Sequence, residues 1–465
     1  MLAPPLQPRA ATASPRASAL AVTVSLWVAV FVATWPVALS FADEVGYVGQ
    51  AKLLLRGQLV PAAWDPGMWA YGPSGPVSRY PLTLPLLIAP WLAITPRAAF
   101  ALGVLAAGAM TYWASRLLQS WGRSPTWAVV LLAHPALVIV ARTIMADVVF
   151  SACTIGAWLA LRRKHTWLCV LGFALLCCIK PTGGVVAGAL LVGETIRMQL
   201  QPSTQRAFSS LAPAALGGTL GVLTLLGMNI LTTGSWRFGY SLAQAADVPT
   251  FGLRYLTHNL RSYAPALLLC PPLLVLGAVP LWRRRELGAL CAIAALSGLM
   301  ACYFFVDWGS TWLESLVLAP RLLLPVVSLL LIGYADLIAG LAGRFEQRAR
   351  LCACVVAVAS AVGISLAHRR WQEPMARALA SASQLADRDG AQRLALTQAA
   401  LKQGLLYAGQ TLLFDATTPN AAVVLCSTTT ASHRLAKQHL PCSYPGYRVA
   451  ATGDGYAVLV RSSSP

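Results

Sequence analysis

The chain has 465 residues, 57% of them hydrophobic and 11% charged, and carries a formal net charge of +19. A charged fraction so far below the roughly one quarter of ordinary globular domains excludes a water-soluble enzyme and indicates a polytopic membrane protein. The basic residues fall in short clusters between apolar runs, a distribution that records membrane orientation rather than contact with nucleic acid.

Apolar runs able to cross a hydrocarbon core about 30 Å thick lie near residues 19–40, 98–118, 125–141, 147–161, 166–179, 182–196, 208–230, 264–281, 287–305, 322–340 and 351–367, and predict about eleven spans in an all-α core. Residues 1–18 form a cytoplasmic tail. The first run, about 22 residues long, exceeds the apolar region of a signal peptide and reads as an uncleaved anchor. With the N-terminus inside, the clusters Arg116 and Arg123, Arg162 to Lys164, Arg197 and Arg206, Arg283 to Arg285, and Arg344, Arg348 and Arg350 all fall on the cytoplasmic side, as the positive-inside rule requires.

The first outer loop, residues 41–97, opens with ADEVGYVGQAKLLLRG, in which Asp43, Tyr47, Gln50 and Leu54 share one helical face, the pattern of a helix lying along the interface. Residues 81–96 are apolar but short and contain four prolines. Counted as a crossing, they would invert every later loop, so they read as an interfacial or re-entrant segment. The loops 142–146, 231–263 and 306–321 then share the outer face with the tail. Residues 19–370 form the membrane domain and residues 371–465 a small extracytoplasmic α/β domain. In it a polar helical stretch (375–407) precedes β-type runs at 411–414, 422–426 and 456–460, with a turn at 452–455.

No internal repeat is visible. Nine of the 11 cysteines lie in spans, where a thiol behaves as a small apolar residue. Cys426 and Cys442 lie in the tail and are candidates for a disulfide in an oxidising compartment. The histidines show no metal-ligand spacing, so no metal or other cofactor is called for, although adjacent carboxylates leave a divalent cation open. Two readings stand for Asp43: a carboxylate that takes part in chemistry at the membrane edge, or a partner of Ser40 in a capping box. Asp147 likewise either supports a site or is held by the dipole of the helix it begins.

The segments SRYPLTLPLL (78–87), HPALVIVARTIMADVVF (134–150), CIKPTGG (178–184), NILTTGSWRFGY (229–240) and LAPRLLLPVVSLLL (318–331) follow that opening in this order. Together, over roughly residues 20–340, they resemble the membrane glycosyltransferases of the GT-C superfamily. They are similar to the dolichyl-phosphate-mannose protein mannosyltransferases (glycosyltransferase family 39) and the bacterial lipid A aminoarabinose transferases. The resemblance implies a GT-C-type helix core in a bacterial inner (plasma) membrane. It implies a hexosyl or pentosyl transferase that moves a sugar from a polyprenyl-phosphate donor to an acceptor on the outer face, with inversion. It marks Asp43 as the catalytic carboxylate, Glu44 as its neighbour in the protein mannosyltransferase form of the motif, and Asp147 as the second acidic position.

A carboxylate there accepts the proton of an attacking hydroxyl, and preorganised cations offset the charge that develops on the departing lipid phosphate. Lys180 and Arg321 are the leading candidates for that role and Arg79 and Arg142 the weaker ones; each alternatively snorkels to the interface. Tyr47, Tyr80 and Tyr240 are expected to line the substrate site. The chain has one proline after Tyr80 where the family often has two, and its tail is shorter than the soluble domains of several relatives. The acceptor, whether glycolipid, polysaccharide or protein, stays open. The competing readings are a secondary transporter, which would show repeat symmetry and charges near the midplane, and a flippase partner or scaffold without transferase activity.

Overall fold

Proline and glycine punctuation cuts the apolar runs into helices that pack as one bundle. The computed structural model describes residues 15–59, 69–72, 75–200, 208–236, 250–304, 318–388, 393–396, 411–413, 423–427, 447–453 and 456–461. In chain order the helices are α1 (Pro15–Ala33), α2 (Ala42–Leu55), α3 (Thr83–Ile94), α4 (Ala101–Ser120), α5 (Val129–Ala133), α6 (Pro135–Ala141), α7 (Ala146–Arg163), α8 (Thr166–Ile179), α9 (Gly183–Gln199), α10 (Ala212–Thr233), α11 (Leu256–Leu269), α12 (Ala278–Arg283), α13 (Leu287–Ala301), α14 (Leu324–Ala342) and α15 (Glu346–Arg388). Between α2 and α3 lies an antiparallel hairpin of β1 (Trp69–Gly72) and β2 (Gly75–Ser78). Helices α7 and α14 are buried along most of their length and form the centre of the bundle, as helices apolar on all sides do. Around them, Val22, Leu168, Leu223 and Val355 face outward, an apolar exterior suited to lipid.

Among the described residues, Ala98–Ser120, Ala212–Thr233 and Ala319–Glu373 are long and apolar enough to cross a membrane, and α6 with α7 qualifies as a pair bent by 114°. Other apolar helices, including Ala19–Ala33, Thr166–Ile179 and Leu287–Ala301, are shorter. Several of the spans expected from sequence are therefore broken, for local reasons. Pro135 starts a new helix after His134, and Pro271 and Pro272 lack the amides that would carry α11 on into α12. The freed polar groups find partners: the His134 ring nitrogen Nε2 lies 2.8 Å from the Cys270 carbonyl, and the Tyr334 hydroxyl donates to the Pro272 carbonyl at 3.0 Å. Such breaks are tolerated inside a membrane only when satisfied in this way. The proline-rich segment after Tyr80 is α3, 12 residues long and packed on α2. At about 18 Å it is too short to cross.

Helix α15 runs unbroken for 43 residues, or roughly 65 Å. It merges the last expected span with the polar helix after it, and its far end packs against β5 (Val423–Ser427) and β7 (Tyr456–Arg461). With β3 (Arg393–Leu396), β4 (Thr411–Leu413) and β6 (Tyr447–Gly453) these form a sheet of order β4-β3-β5-β7-β6, parallel at β4-β3-β5 and antiparallel elsewhere. Two expectations are corrected here. The helix ends at Arg388 rather than near 407, and Arg393–Leu396 is a strand. Leu and Ala favour helices in isolation, and pairing on both sides overrides that preference. Cys442 and the side chain of Cys426 lie outside the described residues, as does the suggested disulfide.

Helix α7 carries Asp147 in its first turn and Arg162 and Arg163 in its last, so roughly 27 Å separate two polar ends of the bundle. At the arginine end, Asp336 accepts from Arg123 Nε at 2.6 Å and from Arg284 at 2.6 and 2.9 Å. Nearby, Glu286 meets Arg162 at 3.0 Å and accepts from the Trp121 indole at 3.3 Å, and Arg350 donates to Ser124 at 2.8 Å. Arg123, Arg162 and Arg284, from three of the basic clusters that sequence sorted to one side, thus meet acids supplied from elsewhere in the chain. Asp336→Ala leaves two guanidinium groups facing each other. The loss is expected to be about 2 kcal/mol, below the about 3–5 kcal/mol of a fully buried pair, because Arg123 and Arg284 are 33% and 27% exposed. Thermal unfolding in detergent measures it; an unshifted midpoint would show that the network does not hold this end together.

Candidate functional site

Between α1 and α2 the chain leaves helical geometry, although Ala38 and Leu39 are fully buried. Backbone groups in so dry a stretch need partners. Glu44 provides them: one carboxylate oxygen accepts the Ser40 amide at 2.5 Å and the Phe41 amide at 2.7 Å, and the other accepts the Ile144 amide at 2.7 Å. A single side chain therefore caps α2 and ties it to the turn between α6 and α7. Helix α2 begins at Ala42 with Phe41 as its cap, which puts Glu44, not Asp43, at the third helical position. The capping role that sequence allowed Asp43 belongs to its neighbour.

Asp43 is left to other partners. Its Oδ1 accepts the Tyr80 hydroxyl at 2.9 Å, and its Oδ2 lies 3.2 Å from Arg321 Nη1. The Tyr80 ring packs on Tyr47 with centroids 4.6 Å apart, and a Cβ at Gly46 would overlap it; the absence of a side chain at 46 lets the hydroxyl reach Asp43. Arg321 lies in the buried turn that opens α14. Its guanidinium sits 5.2 Å over the Phe41 ring, with Nη1 3.8 Å from Met145 Sδ. Asp147 pairs at 2.5 Å with Lys180, which ends α8. Thr83 fastens the start of α3 to the same end of α8 by donating to the Cys178 carbonyl at 2.8 Å.

Two acid–base pairs thus lie close together, and Tyr47 joins them. Burial, followed by the charges of Asp43 and Asp147, pushes its phenol well above the ordinary range, against the pull of Arg321. Access distinguishes the acids. The Asp43 side chain is 24% exposed and that of Asp147 3%, while Glu44 is fully buried. Among the described residues no group of three or more His, Cys, Asp or Glu side chains is arranged to hold a metal ion.

Not every expected residue joins this cluster. Arg142 is fully buried and donates to the Thr34 hydroxyl at 2.9 Å, to the Thr34 carbonyl and to His368 Nδ1 at 3.2 Å. These bonds brace the end of α1 against α15, so the structure does not bring Arg142, expected among the phosphate ligands, to the Asp43 and Asp147 pairs. Arg79 is half-buried beside Tyr80, and Tyr240 lies outside the described residues. Sequence reasoning passed over His368 and Gln372, both of which touch the linker before Asp43. The available signal was a polar pair four residues apart directly after an apolar run.

No protein-family profile matches the chain, and no curated protein matches its sequence. Its backbone does match solved structures. ArnT from Cupriavidus metallidurans in the apo state gives a TM-score of 0.66 at 13% identity, covering 97% of this chain and 100% of that one. The same protein bound to undecaprenyl phosphate gives 0.62 at 12% identity, covering 97% and 99%. The chain has the ArnT fold. Coverage of 97% takes the ArnT fold past the helix core and into the tail, the part with no evident counterpart from sequence. At such low identity the likeness is one of backbone path, so the roles of individual residues rest on this chain's own side chains.

Glu44 gives the cluster a pH dependence. Burial pushes its carboxyl from 4.5 up to about 7, against the three backbone amides that pull it down. The folded value lies above the unfolded one, so the folded state takes up a proton in that window that the unfolded state does not. The resulting stabilisation, on the order of 3 kcal/mol, is complete below the unfolded value and is lost as pH rises through about 7. Glu44→Gln stays neutral and is expected to flatten this slope. Unfolding midpoints of both proteins between about pH 5 and 8 measure it, and equal slopes would contradict the assignment.

Proposed function

We propose that the chain is a membrane glycosyltransferase that takes a sugar from a polyprenyl-phosphate-linked donor and passes it, with inversion, to an acceptor hydroxyl on the outer face of a bacterial inner membrane. The observation that carries this reading is Asp43. It is the accessible acid of the three, 24% exposed, and it faces a buried arginine across 3.2 Å. The shared fold adds support, since the ArnT structure holds undecaprenyl phosphate. The positive-inside distribution supports the outer placement of Asp43 and of the tail, residues 371–465, as a small extracytoplasmic α/β domain.

The chemistry follows from the cluster. The acceptor oxygen attacks the anomeric carbon opposite the lipid phosphate, and its proton passes to Asp43 as the new C–O bond forms. The old C–O bond breaks, and its electron pair leaves with the phosphate. Arg321 and Lys180 offset the charge that grows there, in a site whose walls exclude much of the water. Asp147 holds Lys180 in place, and Tyr80 orients the Asp43 carboxylate. Glu44 acts on the backbone and contacts neither substrate. With two cations at hand the step is proposed to run without a resident metal.

Asp43→Asn keeps the shape of the side chain and can still accept from Tyr80, but cannot take the proton. Transfer from a polyprenyl-phosphate sugar by the purified, folded variant is expected to fall about 100-fold or more. Near-normal transfer by a well-folded variant would remove Asp43 from the mechanism. The orientation has its own test. Alkaline phosphatase fused after Pro465 is expected to be active in cells and, fused after Arg285, inactive; the reverse pattern would place the cluster inside.

A further inference from the structure

The linker that delivers Asp43 is gripped by the last membrane helix. Gln372 accepts the Val37 amide at 3.2 Å with its side-chain oxygen, while its nitrogen donates to the Ala38 carbonyl and to the Ser40 hydroxyl at 2.9 Å. One turn earlier, His368 Nε2 lies 2.6 Å from the same hydroxyl. The tautomer follows from its other neighbour. Arg142 Nε donates to His368 Nδ1 at 3.2 Å, and an arginine can only donate, so Nδ1 is unprotonated and Nε2–H donates to Ser40. The Ser40 oxygen therefore accepts from both residues of α15. Its amide, meanwhile, is held by Glu44, the third residue of α2.

This arrangement exceeds what burial alone asks for. Residues 34–41 are irregular and contain fully buried Ala38 and Leu39, and their polar groups could be satisfied by any nearby donor or acceptor. Beside the Glu44 bonds to the Ser40 and Phe41 amides, the Val37 amide, the Ala38 carbonyl and the Ser40 hydroxyl are all met from one face of one helix, at i and i+4, with Arg142 closing the bracket from the turn before α7 by donating to Thr34. His368, Gln372 and Arg142 define the position and direction of the chain entering α2, and Asp43 is the second residue of that helix. Displacement of reacting groups by about 1 Å can cost about 100-fold in rate.

We infer that His368 and Gln372 are positioning residues for the reaction, holding residues 37–40 so that Asp43 meets Arg321 and the acceptor in register. The catalytic part of this inference rests on the glycosyltransferase reading above; the mechanical part does not. The test uses the full-length protein in detergent or nanodiscs. Gln372→Met and His368→Phe keep bulk and remove the bonds. Each is expected to lower kcat about 10- to 100-fold while the KM for the lipid-linked donor changes less than about 3-fold, and His368→Gln, which restores a donor, recovers most of the loss. Independently of any substrate, hydrogen exchange of the amides of residues 41–48 is expected to quicken by about tenfold or more in Gln372→Met, with exchange in α7 and α14 unaltered. If Gln372→Met does not fold, Gln372→Asn, which shortens the reach by one methylene, serves for both measurements.

Unchanged exchange at 41–48 in a folded variant overturns the inference. So does a uniform loss of stability with kcat per folded molecule intact, the outcome of a merely structural contact. Quickened exchange with no transfer by the wild-type protein leaves the mechanical link standing and sinks the glycosyltransferase reading instead.

Discussion

A buried carboxylate that accepts three backbone amides is the interaction on which the cluster depends. Glu44 joins Ser40 and Phe41 to Ile144, two irregular stretches far apart in sequence that have no regular pairing of their own. In a membrane protein such stretches are admissible only where each polar group is met from within. Once Glu44 has met these, its neighbour on the next helical position is turned away from the backbone and toward the Tyr80 hydroxyl and Arg321. The division of labour between the two adjacent acids is thus a consequence of where α2 starts. One residue of difference in that start would exchange their roles.

Charge is distributed through the bundle by the same rule. At one end, Asp336 on α14 gathers Arg123, beyond α4, and Arg284, at the end of α12, while Glu286 in the turn before α13 meets Arg162 of α7. The other end holds two simple pairs, Asp43 with Arg321 and Asp147 with Lys180. A network that bridges many helices suits a fixed scaffold. Of these acids Asp43 is the partly exposed one.

Much of this was legible in the chain because charge is so scarce in it. In an apolar sequence a cation on the side that the positive-inside rule does not favour is conspicuous, and Lys180 and Arg321 stood out in that way; Asp43 and Asp147 came from the resemblance to the GT-C enzymes, and the helix at α2 from its spacing. Other features depended on contacts that spacing does not reveal. Arg142, the weaker candidate in the outer turn before Asp147, has Thr34 and His368 as partners rather than the cluster. The cap on α2 turned on a one-residue boundary, the finest and least readable feature of any helix. Strand β3 is held by neighbours on both sides against its own helical preference. Asp336, inside a span, and Glu286, beside the Arg283 to Arg285 cluster, carry no spacing signal of the arginines that other parts of the chain bring to them.

The long last helix also bears on how the protein is made. Ser40 and Gln372 are separated by 332 residues, so during synthesis the stretch leading into α2 emerges on the order of tens of seconds before the residues that hold it. Arg321 arrives late as well. A nascent chain carrying every acid of the cluster therefore still lacks both the counter-ion of Asp43 and the grip on its linker. The order of synthesis therefore runs opposite to the order of support, and a partly translated chain holds residues 37–40 without the helix that fastens them.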